Sequence, residues 1–178
     1  MTGTTLQQNY SVVARWLHWI IAICVIAGLT LGLLNDALED VFPSAMVIHM
    51  SLGLTVLALT IVRIFWRLGH RPPPMPDEMP GWEKMLAHVT HIAFYALLLI
   101  LPLSGWLMSS PGKFPISWFG IAEIPKFPVT KEDPIAGLAH EGHEVLGFVM
   151  LGLAVIHILA ALRHHFVLKD NVLRRMLT

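Results

Sequence analysis

The sequence predicts an all-α integral membrane protein, a bundle of four transmembrane helices with both termini in the cytoplasm. Three observations carry that expectation. Of 178 residues, 55% are hydrophobic and only 13% are charged, a balance unlike that of soluble domains. The apolar residues gather in four stretches, each near the roughly 20 residues a helix needs to cross hydrocarbon. The charges sit between those stretches and are sorted by sign.

The first span is expected over 12–34, ending at Asn35-Asp36. It is longer than a signal-peptide core and no small-residue cleavage pattern follows it, so it reads as retained. It contains Cys24, the single cysteine, which can form no intrachain disulfide. The second span, 45–68, follows Pro43-Ser44, with Ser44 as the expected N-cap. The third, 86–108, contains Pro102, where a kink is expected. The fourth, 143–166, belongs to a helix that starts earlier, at the N-cap and N1 pair Asp133-Pro134.

Between the second and third spans, residues 69–81 are proline-rich and read as a stiff extended linker. The longest connection, roughly 109–133, carries Trp118, Phe119 and Phe127. It is expected to lie on the membrane surface or over the bundle end. The whole chain, 1–178, reads as one domain.

Charge sets the orientation. Nine of the 12 basic residues (Arg15, Arg63, Arg67, Arg71, Lys84, Arg163, Lys169, Arg174 and Arg175) fall on one side. The other side holds Lys113, Lys126 and Lys131 together with eight of the 12 acids. The positive-inside rule assigns the first side to the cytoplasm. Net charge is zero, so no basic excess points to nucleic acid.

Four histidines lie in or beside these apolar stretches, at two depths. An ionisable side chain in a membrane span is a functional candidate by default. His143 and His157 are 14 residues apart, which leaves them about 40° apart around the helix and about 21 Å apart along it. Antiparallel packing matches His157 in depth with His18, and His143 with His49. Two facing imidazoles are what a low-spin haem iron needs, so the spacing offers two haem sites stacked across a bilayer. With no Cys-x-x-Cys-His segment, haem would be held non-covalently. Gly53 and Gly147 each follow a histidine by four residues, where a missing side chain admits a flat macrocycle or a neighbouring helix.

Other histidines compete. His88 and His91 match His18 and His157 in depth. His140 lies one turn before His143 but on another face. His164 and His165, beside Arg163, read as an interfacial basic cluster, and His70 as solvated. Arg63 and Arg67 can clamp haem propionates or meet lipid phosphates at the headgroup level.

Several segments together resemble the bacterial cytochrome b561 family: Tyr10-Ser11 with Arg15-Trp16-Leu17-His18-Trp19, Ile48-His49-Met50-Ser51-Leu52-Gly53, Ala87-His88-Val89-Thr90-His91, and the end from His157 through His164-His165-Phe166 to Lys169-Asp170-Asn171-Val172-Leu173. The likeness covers almost the whole chain. It implies four helices holding two b haems, with ligands falling on His18, His49, His143 and His157. It implies that His91 lies near the cytoplasmic haem without binding iron. Some members of the family are superoxide oxidases, which pass electrons from superoxide on the external face to ubiquinone. The quinone-side region maps to His164 and Lys169, and this chain carries Leu168 where the family pattern has Trp.

The expected function is therefore di-haem electron transfer across the inner membrane, from superoxide or another periplasmic donor to ubiquinone. The external lysines could draw in an anion, although acids surround them. The alternatives are an anchor subunit for a hydrogenase-like periplasmic oxidoreductase and a haem-free membrane module with proton-relay histidines. Lipid is the remaining expected partner.

Overall fold

The computed structural model describes residues 9–177. Four helices are long and apolar enough to cross a membrane: α1 (Val12–Leu33), α3 (Ala45–Gly69), α4 (Gly81–Ser109) and α5 (Pro134–Arg163). A single π-helical turn, His164–Leu168, extends α5. Two short helices, α2 (Asn35–Leu38) and α6 (Arg174–Leu177), sit at opposite ends. Helices α1 and α3, α3 and α4, and α4 and α5 pack as neighbours, and ring contacts between His18 and His157 bring α1 to α5.

The caps differ from expectation in detail. Ser11 caps α1, its hydroxyl accepting from the Ala14 N–H at 3.3 Å. Ser44 and Asp133 occupy N-cap positions but neither side chain caps its helix. The Asp133 carboxylate instead accepts from the Thr130 N–H and hydroxyl at 2.7 and 3.1 Å, so it closes the preceding turn. Pro134 stands at the start of α5, where its missing N–H costs nothing. Helix α4 begins at Gly81, five residues before the apolar run, and continues through Pro102.

The buried layer is thin, as expected where lipid replaces water around the bundle. Ile21, Val56, Leu97, Leu98 and Met150 form one cluster near mid-depth, drawn from all four long helices. Large apolar side chains such as Phe65, Ile92 and Ile156 point outward.

The connection between α4 and α5 folds into a β-hairpin that was not expected. Strands β1 (Ile116–Trp118) and β2 (Ala122–Ile124) pair antiparallel. Phe119 and Gly120 have φ of +50° and +72°, and the Ile121 N–H donates to Trp118 O at 2.9 Å. Those features define a type I′ turn, whose twist suits a hairpin. Three-residue strands have no stability of their own; α3 holds them. Ser51 is fully buried, and its hydroxyl bonds Val47 O, Ser117 O and the Phe119 N–H at 2.7, 3.2 and 2.9 Å. The Trp118 indole N–H reaches Thr55 Oγ1 at 2.9 Å.

Ser51→Ala leaves the Phe119 N–H and the Ser117 carbonyl without that partner. It should cost about 1–3 kcal/mol, read as a lower unfolding midpoint in detergent and faster proteolysis within residues 109–133.

Candidate functional site

The histidines singled out in the sequence meet in two groups at opposite ends of the bundle. At one end, His49 of α3 faces His143 of α5 with ring centres 6.0 Å apart. At the other, His18 of α1 faces His157 of α5 with ring centres 6.3 Å apart. That second end also brings the start of α1 to α6: the Trp19 indole N–H donates to Met176 O at 2.9 Å.

These separations test whether a haem iron fits. A first-row metal lies about 2 Å from an imidazole nitrogen, so two imidazoles on opposite sides of one iron have ring centres about 6 Å apart. Both pairs satisfy that distance.

Tautomer is the second requirement, because the nitrogen facing the iron must be unprotonated. His49 Nδ1 lies 2.8 Å from Gly28 O, and His143 Nδ1 lies 3.0 Å from Leu101 O. A carbonyl only accepts, so both Nδ1 atoms carry the proton and both Nε2 atoms keep a free lone pair. Ser104 Oγ, 3.1 Å from His143 Nδ1, accepts from the same N–H. Bonds of this kind orient a ligating imidazole and raise its basicity.

Two glycines absent from the sequence reading make this placement possible. A Cβ on Gly32 would stand 2.9 Å from His49 Cε1, and one on Gly105 would stand 3.0 Å from His143 Cε1. The Cε1 and Nδ1 atoms of each ring therefore lie close against a neighbouring helix backbone. Gly53 and Gly147 act differently. A Cβ there meets nothing within 4 Å, and both line a cavity of about 520 Å³ together with His49 and His143. That volume falls in the roughly 300–1,000 Å³ range of cofactor sites. Met50, Leu101 and Phe148 supply apolar walls, and Cys24 lies deeper.

Asp36, His140 and Glu144 line the same cavity, and Asp36 and Glu144 are exposed. Lys113, Lys126 and Lys131 do not contribute to it. Lys126 is instead turned to the Gly112 carbonyl.

The second end is built differently. His157 is shared: His91 of α4 stands 6.1 Å from it, as near as His18, and Phe94 stands 5.2 Å away. Three imidazoles thus gather where the depth argument matched two. Among the described residues no hydrogen bond fixes the ring nitrogens of His18, His91 or His157. His88 is outside the group, bonded to Lys84 O at 2.8 Å. Two buried polar atoms at this end, Thr60 Oγ1 and Arg15 Nη1, have no hydrogen-bond partner among the described residues. Such orphans are uncommon in folded chains and accord with a polar group held there.

Arg63 Nε donates to the Tyr95 hydroxyl at 3.1 Å and Nη1 to Ala14 O at 3.3 Å. Its partners stand four residues from His18 on α1 and four residues from His91 on α4, so its guanidinium is held close to the three imidazoles. Arg67 stacks over the Tyr95 ring at 5.8 Å. His164 is tied down within the bundle: its side chain is 12% exposed and its Nδ1 meets Asp170 Oδ2 at 2.5 Å. The π turn carries it inward, and Lys169, in the left-handed region at φ +56°, reverses the chain so that Asp170 returns to it. His165 lies against Phe166. His70 is stacked on Trp66 at 3.9 Å, not simply solvated.

Comparison with known proteins agrees with this construction. Residues 9–178 match the family described as prokaryotic cytochrome b561. "Cytochrome b561 homolog 2" of Escherichia coli (strain K12) is 33% identical over 99% of this chain and 95% of its own length. "Probable superoxide oxidase CybB" of Yersinia pestis is 30% identical over 97% of each. "Cytochrome b562" of Cereibacter sphaeroides is 30% identical over 97% of this chain and 98% of its own. With four apolar helices and paired, half-buried imidazoles, the chain belongs to the prokaryotic cytochrome b561 family, multi-pass membrane proteins that transfer electrons with b-type haem.

Proposed function

We propose that this chain is a di-haem cytochrome that moves electrons across the inner membrane, from superoxide outside to ubiquinone near the cytoplasmic face. The observation that carries the reading is the two imidazole pairs, 6.0 and 6.3 Å between ring centres, set 14 residues apart on one helix. His49 and His143 would hold the external group, and His18 and His157 the cytoplasmic one. His91 stands beside the second pair as a neighbour. An iron held between two imidazoles supplies a one-electron carrier with no open coordination position. The charge bias of the loops supports both termini being cytoplasmic.

The residues have distinct tasks. The Gly28 and Leu101 carbonyls orient the external imidazoles. Gly53 and Gly147 leave room for the macrocycle. At the other end Arg63, Arg67 and Arg15 would supply cations for the carboxylates of the group held there. His164, oriented by Asp170, and the exposed Lys169 would face a quinone arriving from lipid and supply protons from the cytoplasm. Two superoxide ions each lose one electron to become dioxygen, and the quinone takes up two electrons and two protons. The likeness to a relative named as a probable superoxide oxidase supports this donor.

One observation favours a second reading, an electron-transfer subunit for a periplasmic oxidoreductase. Asp36 and Glu144 line the cavity at the external end while the three lysines do not. An acidic mouth suits a basic protein surface better than an anion.

A reduced-minus-oxidised spectrum with haem counted per chain should give two b-type haems. His49→Ala and His143→Ala should remove one and the same haem, His18→Ala and His157→Ala the other, and His91→Ala neither. Gly32→Val or Gly105→Val should also lower the count from two towards one, because the first added carbon already crowds the imidazole. In proteoliposomes, superoxide should drive ubiquinone reduction by the protein alone; reduction only with an added protein donor would favour the second reading.

A further inference from the structure

The two ends of the bundle hold their imidazoles in opposite electrostatic surroundings. At the His49–His143 end, both ring N–H groups donate to carbonyl oxygens, and His143 also to Ser104. An imidazole that donates in this way takes on anionic character and binds the more positive metal state better. The carboxylates of Asp36 and Glu144 act in the same sense. They are exposed and screened by solvent, so the two half-buried N–H bonds, in direct contact with the rings, carry the larger share.

The His18–His157 end reverses each feature. No hydrogen bond among the described residues draws on its ring N–H groups. Arg63 is held close by bonds to Tyr95 and Ala14, half-buried where screening is weak. Arg67, over the same tyrosine, adds a second cation. Positive charge there favours the less positive, reduced state.

We infer that the protein is built with unequal redox potentials at its two ends, lower at His49–His143 and higher at His18–His157. Electrons entering at the first end then run downhill to the second, where an electron lost by one centre is gained by the other. Direction is thus a property of the chain's hydrogen bonds and charges as well as of its donor and acceptor. The inference rests on the ligand reading given under Proposed function.

Potentiometric titration of the full-length haem-loaded protein, followed in the α-band, tests it. Two one-electron components are expected, and His143→Ala should remove the lower one. Arg63→Gln should move the upper component down and leave the lower in position. Ser104→Ala should move the lower component up, by less, because Leu101 O still holds the ring. If His143→Ala removes the upper component, or if Arg63→Gln shifts the lower one alone, the inference is overturned while the ligand reading stands. If His49→Ala and His143→Ala remove different haems by pigment count, the ligand reading itself fails and takes the inference with it.

Discussion

At the His49–His143 end each imidazole satisfies its N–H within the protein, and that constraint organises this half of the bundle. Within an apolar bundle the partner comes from another helix. For His49 it is Gly28 on α1, and for His143 it is Leu101 on α4. Each bond does three things at once. It removes the penalty of a buried donor, it leaves one ring nitrogen bare, and it draws two helices together. Close approach of ring to backbone then excludes any side chain at Gly32 and Gly105. A polar requirement in the interior is met by the smallest residues on the neighbouring helices.

The same economy sets the register of α1 against α3. Gly28 pairs with His49, Ala14 with Arg63 and Ser11 with Trp66. Moving 14 residues back along α1 matches moving 14 forward along α3, so one antiparallel alignment holds over most of both helices. The hairpin packs on the other end of α3 through Ser51 and Thr55, two and six residues past His49. The stretch of α3 that carries His49 is therefore held twice, by α1 through His49 itself and by the hairpin through Ser51 and Thr55.

The spans and the depth pairing were legible in the sequence because lipid makes both conspicuous: apolar runs are long, and a histidine within them is rare. Gly53 and Gly147 were legible through their four-residue offset from a ligand candidate. The partners of the imidazole N–H groups were not, because a backbone carbonyl has no signature in sequence. Gly32 and Gly105 were missed for a related reason, since they serve histidines on other helices. The hairpin escaped notice because its strands are only three residues long and owe their order to Ser51. His91 stands as near to His157 as His18 does, a crowding that depth alone could not rank. Asp170 was read as part of a terminal motif, and only the π turn reveals that it returns to His164.

Helix α5 carries a histidine for each end without interruption from Pro134 to Arg163. The gap between the two centres is consequently inherited from the pitch of a single rod. Sliding or tilting that rod displaces both centres in concert, whereas repacking of α1, α3 or α4 alters only how tightly each is gripped. Residues around either terminus can change while the distance between the two imidazole pairs stays constant.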